Sequence, residues 1–192
     1  MDKRELRRQL LDKRRELPPE EAAKRSAAIL HRLKTLEAFR NAPQILTYVA
    51  SKDHEVDTRG LIRELLVAGR IVLVPKALPS RRMDWRRLDA LETLAPGPFG
   101  VLEPPESLPL VTTISNAALC VVPGIAFRRD GYRIGYGAGY YDRFLAGFSG
   151  TMVGLAYEFQ ITEAFQPESH DRPVQWIITE ERVIRCAEAQ IR

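Results

Sequence analysis

The sequence predicts an α/β fold, a single domain built on a mainly parallel, helix-flanked sheet in a Rossmann-like three-layer sandwich. Three observations lead there. Residues 45–74 read as strand, helix, strand, the unit whose crossover makes neighbouring strands parallel. Short apolar runs at 117–122, 151–156 and 176–179 have the near-continuous Val, Ile, Leu and Ala character of strands covered on both faces. Around them lie stretches whose apolar residues recur at helical spacing. At 192 residues, 45% hydrophobic and 28% charged, the chain is long enough for one such domain over 1–192.

Leu6, Leu10, Leu11 and Leu17 fall near helical intervals among charged residues and predict a first helix over 2–16, ended by Pro18 and Pro19. A second helix is expected from Glu20 to Phe39, with Ala22, Ala27, Ile29, Leu30, Leu33 and Leu36 on its apolar side and His31 at the surface. The strand Ile45–Val49, a loop over 50–57, a helix from Thr58 to Ala68 closed by Gly69, and the strand Ile71–Val74 complete the βαβ unit. Residues 79–113 are rich in proline and read as an irregular excursion, partly strand. Within it Trp85 lies among Arg81, Arg82, Arg86 and Arg87, placed either to pack on their stems or to stack on a flat ring. A strand over 117–122, a glycine-rich stretch and a helix beginning at Tyr140 follow. Strands over 151–156 and 176–179 and a short edge strand at Val183 and Ile184 end the series.

The net charge of +4 is concentrated: residues 1–16 hold seven Lys or Arg against four Asp or Glu, so the remainder is close to neutral. That distribution argues against a general nucleic-acid-binding face, and no aromatic RNA-binding signature accompanies it. Cys120 and Cys186 lie far apart in apolar runs and read as buried free thiols in a reducing cytosol. No run approaches the length of a membrane span, and the first residues alternate charge with leucine. A cytoplasmic monomer with no membrane or nucleic-acid partner is the expectation.

The candidate active site is the stretch from Val122 to Leu145. Gly135, Gly137 and Gly139 alternate there, between a strand-like run and a helix start, an arrangement in which backbone N–H groups can receive phosphate. A tight surface turn is the competing reading, since neither the spaced dinucleotide fingerprint nor a Lys-Ser/Thr phosphate loop is present. Arg133 at one edge and Asp142 at the other favour the ligand site: a guanidinium suits phosphate oxygens, and a carboxylate suits the Mg²⁺ that bridges them. Lys3 and Arg7 lie four residues apart on one helical face, where both cations can meet one polyphosphate. Arg14 and Arg15 read as solvated surface charges.

The segments from Pro123 to Phe127 and from Gly131 to Leu145 closely resemble the signature of the 5-formyltetrahydrofolate cyclo-ligase family. Smaller landmarks at 3–7, 55–58, 103–104, 170–171 and 179–180 stand in that family's order, so the likeness covers nearly the whole chain. The resemblance implies an ATP- and Mg²⁺-dependent enzyme that phosphorylates the formyl oxygen of 5-formyltetrahydrofolate. Attack by N10 and loss of phosphate then leave 5,10-methenyltetrahydrofolate, ADP and phosphate. It implies ATP binding by Lys3, Arg4, Glu5, Leu6 and Arg7, and by Arg133, Ile134, Gly135, Tyr136, Gly137, Ala138, Gly139, Tyr140 and Tyr141. It implies folate binding by Ala50, Glu55 and the stretch Tyr136 to Tyr140, a metal ligand at Asp142, and catalytic roles for Lys3, Arg7 and Arg133. His54, beside Glu55, is expected to face solvent. Two departures from the family pattern stand out: Arg128 replaces a common Asp, and Gln175 replaces a second metal-site Asp, with Asp171 as a substitute ligand or a loop cap. They keep open a binding-only module for nucleotide, folate or RNA, and an ATP-dependent enzyme acting on another heterocycle.

Overall fold

The computed structural model describes residues 2–97 and 100–186. In chain order the elements begin with α1 (Lys3–Arg15), α2 (Pro19–Thr35), α3 (Glu37–Asn41), β1 (Gln44–Thr47), α4 (Arg59–Val67), β2 (Ile71–Leu78) and β3 (Arg82–Leu88). They continue with β4 (Ala95–Pro96), β5 (Leu102–Glu103), β6 (Leu119–Val122), β7 (Ala126–Phe127), β8 (Arg133–Ile134), α5 (Tyr140–Leu145), β9 (Thr151–Leu155), β10 (Trp176–Ile178) and β11 (Val183–Arg185).

Seven strands form one sheet in the order β11-β10-β9-β6-β1-β2-β3. The strands from β10 to β2 pair in parallel, and β3 and β11 add antiparallel edges. Alternation of side chains along each strand decides the layers. Ile45, Val72, Leu119, Val121 and Val153 point into a core shared with Ile29 and Leu33 of α2, Phe39 of α3, and Leu61 and Ile62 of α4. Leu46, Leu73, Cys120, Val122 and Ile177 point the other way, against Leu145 of α5, Phe127 and Trp85. The predicted three-layer α/β sandwich with a mainly parallel sheet is therefore present. α1 belongs to neither face: Leu6 and Leu10 pack on Ile125, Ala126, Ile134 and Phe165, around the small antiparallel pair β7–β8 at the rim.

Local chemistry explains the boundaries. Asp2 caps α1 by accepting from the Arg4 N–H at 3.2 Å, and Lys13, Arg14 and Arg15 sit in its last turn, where cations suit the dipole. After α4, Gly69 takes a left-handed φ of 69°, which lets the Arg70 N–H return to the Leu65 carbonyl at 2.9 Å.

Three elements differ from expectation. The helix expected over 20–39 is two helices, because Leu36 is extended (ψ 128°) with neither Gly nor Pro nearby; the break turns Phe39 and Ala42 into the core, and their burial outweighs local propensity. β2 continues past Pro75 to Leu78, since β1 pairs only as far as Leu73, and beyond it the partner is β3, with Pro75 opposite Trp85. Part of the supposed excursion is thus a regular hairpin. Finally, the strand entering the glycine stretch is β8 of the rim hairpin, not the sheet strand at 119–122.

Candidate functional site

β1 lies between β2 and β6, so the connections leaving its carboxyl end and that of β6 diverge to opposite faces and open a crevice at the switch point. Arg14, Tyr48, Glu55, Pro123, Gly124 and Gln160 line it. The crevice is closed, with essentially no free space for a ligand between these side chains, so a folate-sized molecule requires the rim to open.

From β1 the chain runs through Tyr48, Val49 and Ala50, all buried, into a loop that carries Glu55. The Ala50 N–H donates to the Thr58 hydroxyl at 3.2 Å, which fixes the backbone where the chain leaves β1. One Glu55 carboxylate oxygen accepts from the Ser51 N–H at 3.3 Å and the other from the Tyr136 hydroxyl at 3.2 Å. Burial pushes the Glu55 carboxyl above its ordinary range; Arg14, the two hydrogen bonds and Lys52 act against that rise. The expectation that His54 faces solvent fails. Its Nδ1 is buried without a partner, and its carbonyl accepts from the Tyr157 hydroxyl at 3.0 Å.

The glycine stretch faces that loop. Gly137 has φ of 100° and Gly139, the cap of α5, φ of 76°, whereas Gly135 is not left-handed and uses its carbonyl to accept from Arg7 Nε at 2.9 Å. A Cβ added at Gly137 would lie 3.7 Å from Arg7 Nη2, so the Arg7 guanidinium rests directly on the loop. Tyr136 and Ala138 are exposed, while Ile134 is buried. α5 has only six residues, too few for a strong dipole, so an anion here relies on loop N–H groups and arginine side chains.

The charged residues are already partnered. Arg133 Nη1 lies 3.1 Å from an Asp142 carboxylate oxygen and donates to the Arg172 carbonyl at 3.3 Å, but among the described residues its buried Nε has no partner, and neither has the buried Tyr141 hydroxyl. Lys3 Nζ reaches Glu168 at 2.7 Å and Asp171 at 3.4 Å. Burial would lower the Lys3 ammonium, yet its bonds to those carboxylates outweigh this and hold it above its usual value. Arg4 is exposed, Glu5 accepts from Arg8 and Gln9 on the helix surface, and Leu6 is in the rim core; their side chains do not converge on the loop. The structure therefore brings together Arg7, Arg133, Asp142, Glu55 and the stretch 135–141, with Ala50 buried on the chain that leads from β1 to Glu55, while the side chains of Glu5 and Leu6 contact their own helix and the rim core.

Of the two readings of Asp171 the geometry favours the loop cap, and other sequence readings need correction. Asp171 accepts from Lys3 and from the Glu168 N–H at 2.8 Å, which makes it a loop cap, and Gln175 accepts from the Met152 N–H at 2.6 Å. Among the described residues no group of three or more His, Cys, Asp or Glu side chains could hold a metal ion. Arg128 forks onto Asp130 and donates to the Phe165 carbonyl, tying the rim hairpin together. Trp85 is buried, 5.0 Å from the Phe144 ring and 6.4 Å from that of Tyr141, so its partners are neither arginine stems nor an open face. Arg14, read as a solvated charge, is 2% exposed and donates to Tyr136. Its signal was present: it follows Leu10 by four residues, on the buried stripe of α1.

A doubly wound α/β scaffold with an arginine-braced glycine loop facing a carboxylate across its switch point defines a protein equipped to hold an anionic ligand against a polar partner. The 5-formyltetrahydrofolate cyclo-ligase family model matches residues 1–180, and the chain belongs to that family. It is 34% identical to the 5,10-methenyltetrahydrofolate synthetase of Aquifex aeolicus, whose NMR structure superposes with a TM-score of 0.84 over 99% of this chain and 95% of that one. It is 28% identical to the 5-formyltetrahydrofolate cyclo-ligase of Mus musculus, over 93% of this chain and 94% of that protein. The Haemophilus influenzae 5-formyltetrahydrofolate cyclo-ligase is 31% identical over 75% of this chain and 79% of its own length. No helix among the described residues is long and apolar enough to cross a membrane.

Proposed function

We propose that the protein, acting as one domain over its whole length, converts 5-formyltetrahydrofolate to 5,10-methenyltetrahydrofolate with hydrolysis of ATP to ADP and phosphate. The observation that carries this reading is the juxtaposition of the Arg7-braced loop and Glu55 across one crevice, in a chain of this family. The nucleotide lies along the loop from Gly135 to Tyr141, with its phosphates near Arg7 and Arg133; the folate lies toward Ala50 and Glu55. Transfer of the γ-phosphoryl group to the formyl oxygen needs alignment and charge neutralisation, and no protein nucleophile. The unpartnered Arg133 Nε supports a transition-state role, because it is a buried donor already oriented and still unused. Lys3 joins the phosphates only by leaving Glu168 and Asp171.

Mg²⁺ bound to the nucleotide would shield the phosphoryl oxygens and assist their transfer. The donor set fits an ion that arrives with the nucleotide: Asp142, 27% exposed, supplies one carboxylate once it parts from Arg133, and Mg²⁺ keeps several waters. The test mixes purified protein with MgATP and 5-formyltetrahydrofolate and follows methenyl absorbance together with ADP. Stoichiometric appearance of both is the expected result. ADP without methenyl product would point to another acceptor, and neither product to a binding module.

A further inference from the structure

Arg14 is a fully buried cation in the last turn of α1, and no carboxylate lies within ion-pair distance of it among the described residues. Its guanidinium instead works as a fork. Nε donates to the Asp53 carbonyl at 2.6 Å, and Nη2 donates to the Tyr136 hydroxyl at 2.7 Å. That hydroxyl accepts from Arg14 and passes its own proton donation to Glu55 at 3.2 Å, so cation, phenol and carboxylate form one polarised chain.

The acceptor at Asp53 matters as much as the one at Tyr136. Asp53 and His54 are consecutive non-glycine residues with φ of 51° and 47°, directly before Glu55. Left-handed backbone is unfavourable for such residues and persists only where surrounding contacts over-determine it. Here it is pinned from two sides: Arg14 takes the Asp53 carbonyl and Arg15 its carboxylate at 2.8 Å, while Tyr157 takes the His54 carbonyl. One side chain of α1 thus holds both the strained lead-in to Glu55 and the tip of the glycine loop.

We propose that Arg14 is a positioning residue, whose two-branched grip on the Asp53 carbonyl and the Tyr136 hydroxyl sets the Glu55 carboxylate and the glycine loop against each other in the geometry that receives the folate. The proposal rests on the assignment of the folate to Glu55 made above. The other groups that face Glu55 are Lys52 on its own loop, Tyr48 after β1 and Tyr141 of α5, and all three remain in the variants below.

The experiment compares wild type, Arg14→Gln, Tyr136→Phe and the double variant in two ways. The first reads the protonation midpoint of Glu55 in ligand-free protein by carbon-13 NMR. Removing the Arg14 charge or the Tyr136 hydroxyl removes support for the carboxylate, so each single variant moves the midpoint upward. The second is calorimetric titration with 5-formyltetrahydrofolate and, separately, ATP. Arg14→Gln weakens folate binding by about tenfold to a hundredfold, the range for a lost hydrogen bond to a charged group, and weakens ATP binding by less. The double variant loses no more than the weaker of the two singles, because both changes cut one chain. Additive losses, or a Glu55 midpoint unmoved in both singles, overturn the proposal. If Arg14→Gln does not fold, Tyr136→Phe cuts the same chain at a partly exposed residue and decides alone. If wild type binds no folate, the functional assignment fails, yet the ligand-free midpoint still tests the Arg14 grip.

Discussion

Under the proposed function, Arg133 and Glu55 divide the labour of the site between single side chains. Arg133→Ala is expected to keep the fold, since Asp142 can turn to solvent, and to lose about 2–4 kcal/mol of transition-state stabilisation, as deletion of one preorganised donor does. The kcat/KM for 5-formyltetrahydrofolate and MgATP measures it, and a value near wild type ends that role. Glu55→Gln is expected to weaken folate binding by about tenfold or more while leaving ATP binding nearly unchanged, read by separate titrations. The substitution has a second, stability-linked signature. Burial raises the Glu55 carboxyl, so the folded protein keeps this proton to higher pH than the unfolded chain does. The contribution of this group to stability is full at low pH and is lost as pH rises through the folded-state pKa. Glu55→Gln should therefore flatten the part of the urea-midpoint profile just above the ordinary carboxylate range and leave the protein at least as stable at neutral pH. Of these residues, Arg133, Arg7 and the glycines stood out in the sequence because their types suit an anion, whereas Glu55 on its residue type alone reads as an exposed loop carboxylate and was singled out only by the family resemblance. Arg14 was not read, because a cation among charges looks solvated until the helical phase of Leu6 and Leu10 is extended to it. Nor could sequence show that Lys3 and Asp142 spend their charges on protein partners, since those partners lie far along the chain or across the loop.

Between residue and molecule stand the loop and the hairpin that carries it, and their glycines separate function from stability. Gly131 turns the β7–β8 hairpin with φ of 94°, and an added Cβ would meet the Val174 carbonyl oxygen at 2.2 Å. Gly131→Ala must displace backbone as well as strain it, so a loss of roughly 3 kcal/mol or more in stability is expected from denaturant melts. Gly137 has an equally left-handed backbone but only ordinary contact with Arg7, so Gly137→Ala bears the conformational cost alone, about 1–2 kcal/mol. Its effect should appear chiefly as weaker ATP binding, and a Tm loss equal to that of Gly131→Ala would refute the distinction. The βαβ unit and the later strands were legible because apolar runs and Gly69 mark them unambiguously. The β2–β3 hairpin was obscured by Pro75, whose missing N–H argues against a central strand but is harmless where β1 has already ended. The break at Leu36 carries no local mark at all; only the burial of Phe39 and Ala42 explains it.

At the scale of the whole molecule, the sheet and the site have separate anchors. Both faces of the sheet are covered without α1, which docks on the rim hairpin and on Phe165. Replacing Leu6 and Leu10 together by Ala, at about 2–5 kcal/mol each if fully felt, should release α1 while the sheet survives. Hydrogen exchange would show β1, β6 and β9 still protected, with turnover lost; simultaneous exposure of those strands would mean that α1 is part of the main cooperative unit. The three-layer plan was readable from periodicity, but the displacement of α1 to the rim was not, because an amphipathic helix does not say which apolar surface will receive it. This placement also orders the life of the chain on the ribosome. α1 is synthesised before the residues it docks on: Ile125 and Ile134 follow the sheet strands β1, β2, β3 and β6, and Phe165 follows β9 as well. Until Ile125 and Ile134 are made its two leucines have no seat and its arginines no loop to hold, so a nascent chain stalled before Ile125 carries β1, β2, β3 and β6 without the glycine loop. The arrangement of the crevice is therefore completed by a late docking event, which joins α1 to loop residues 122 and 128 positions further along the chain.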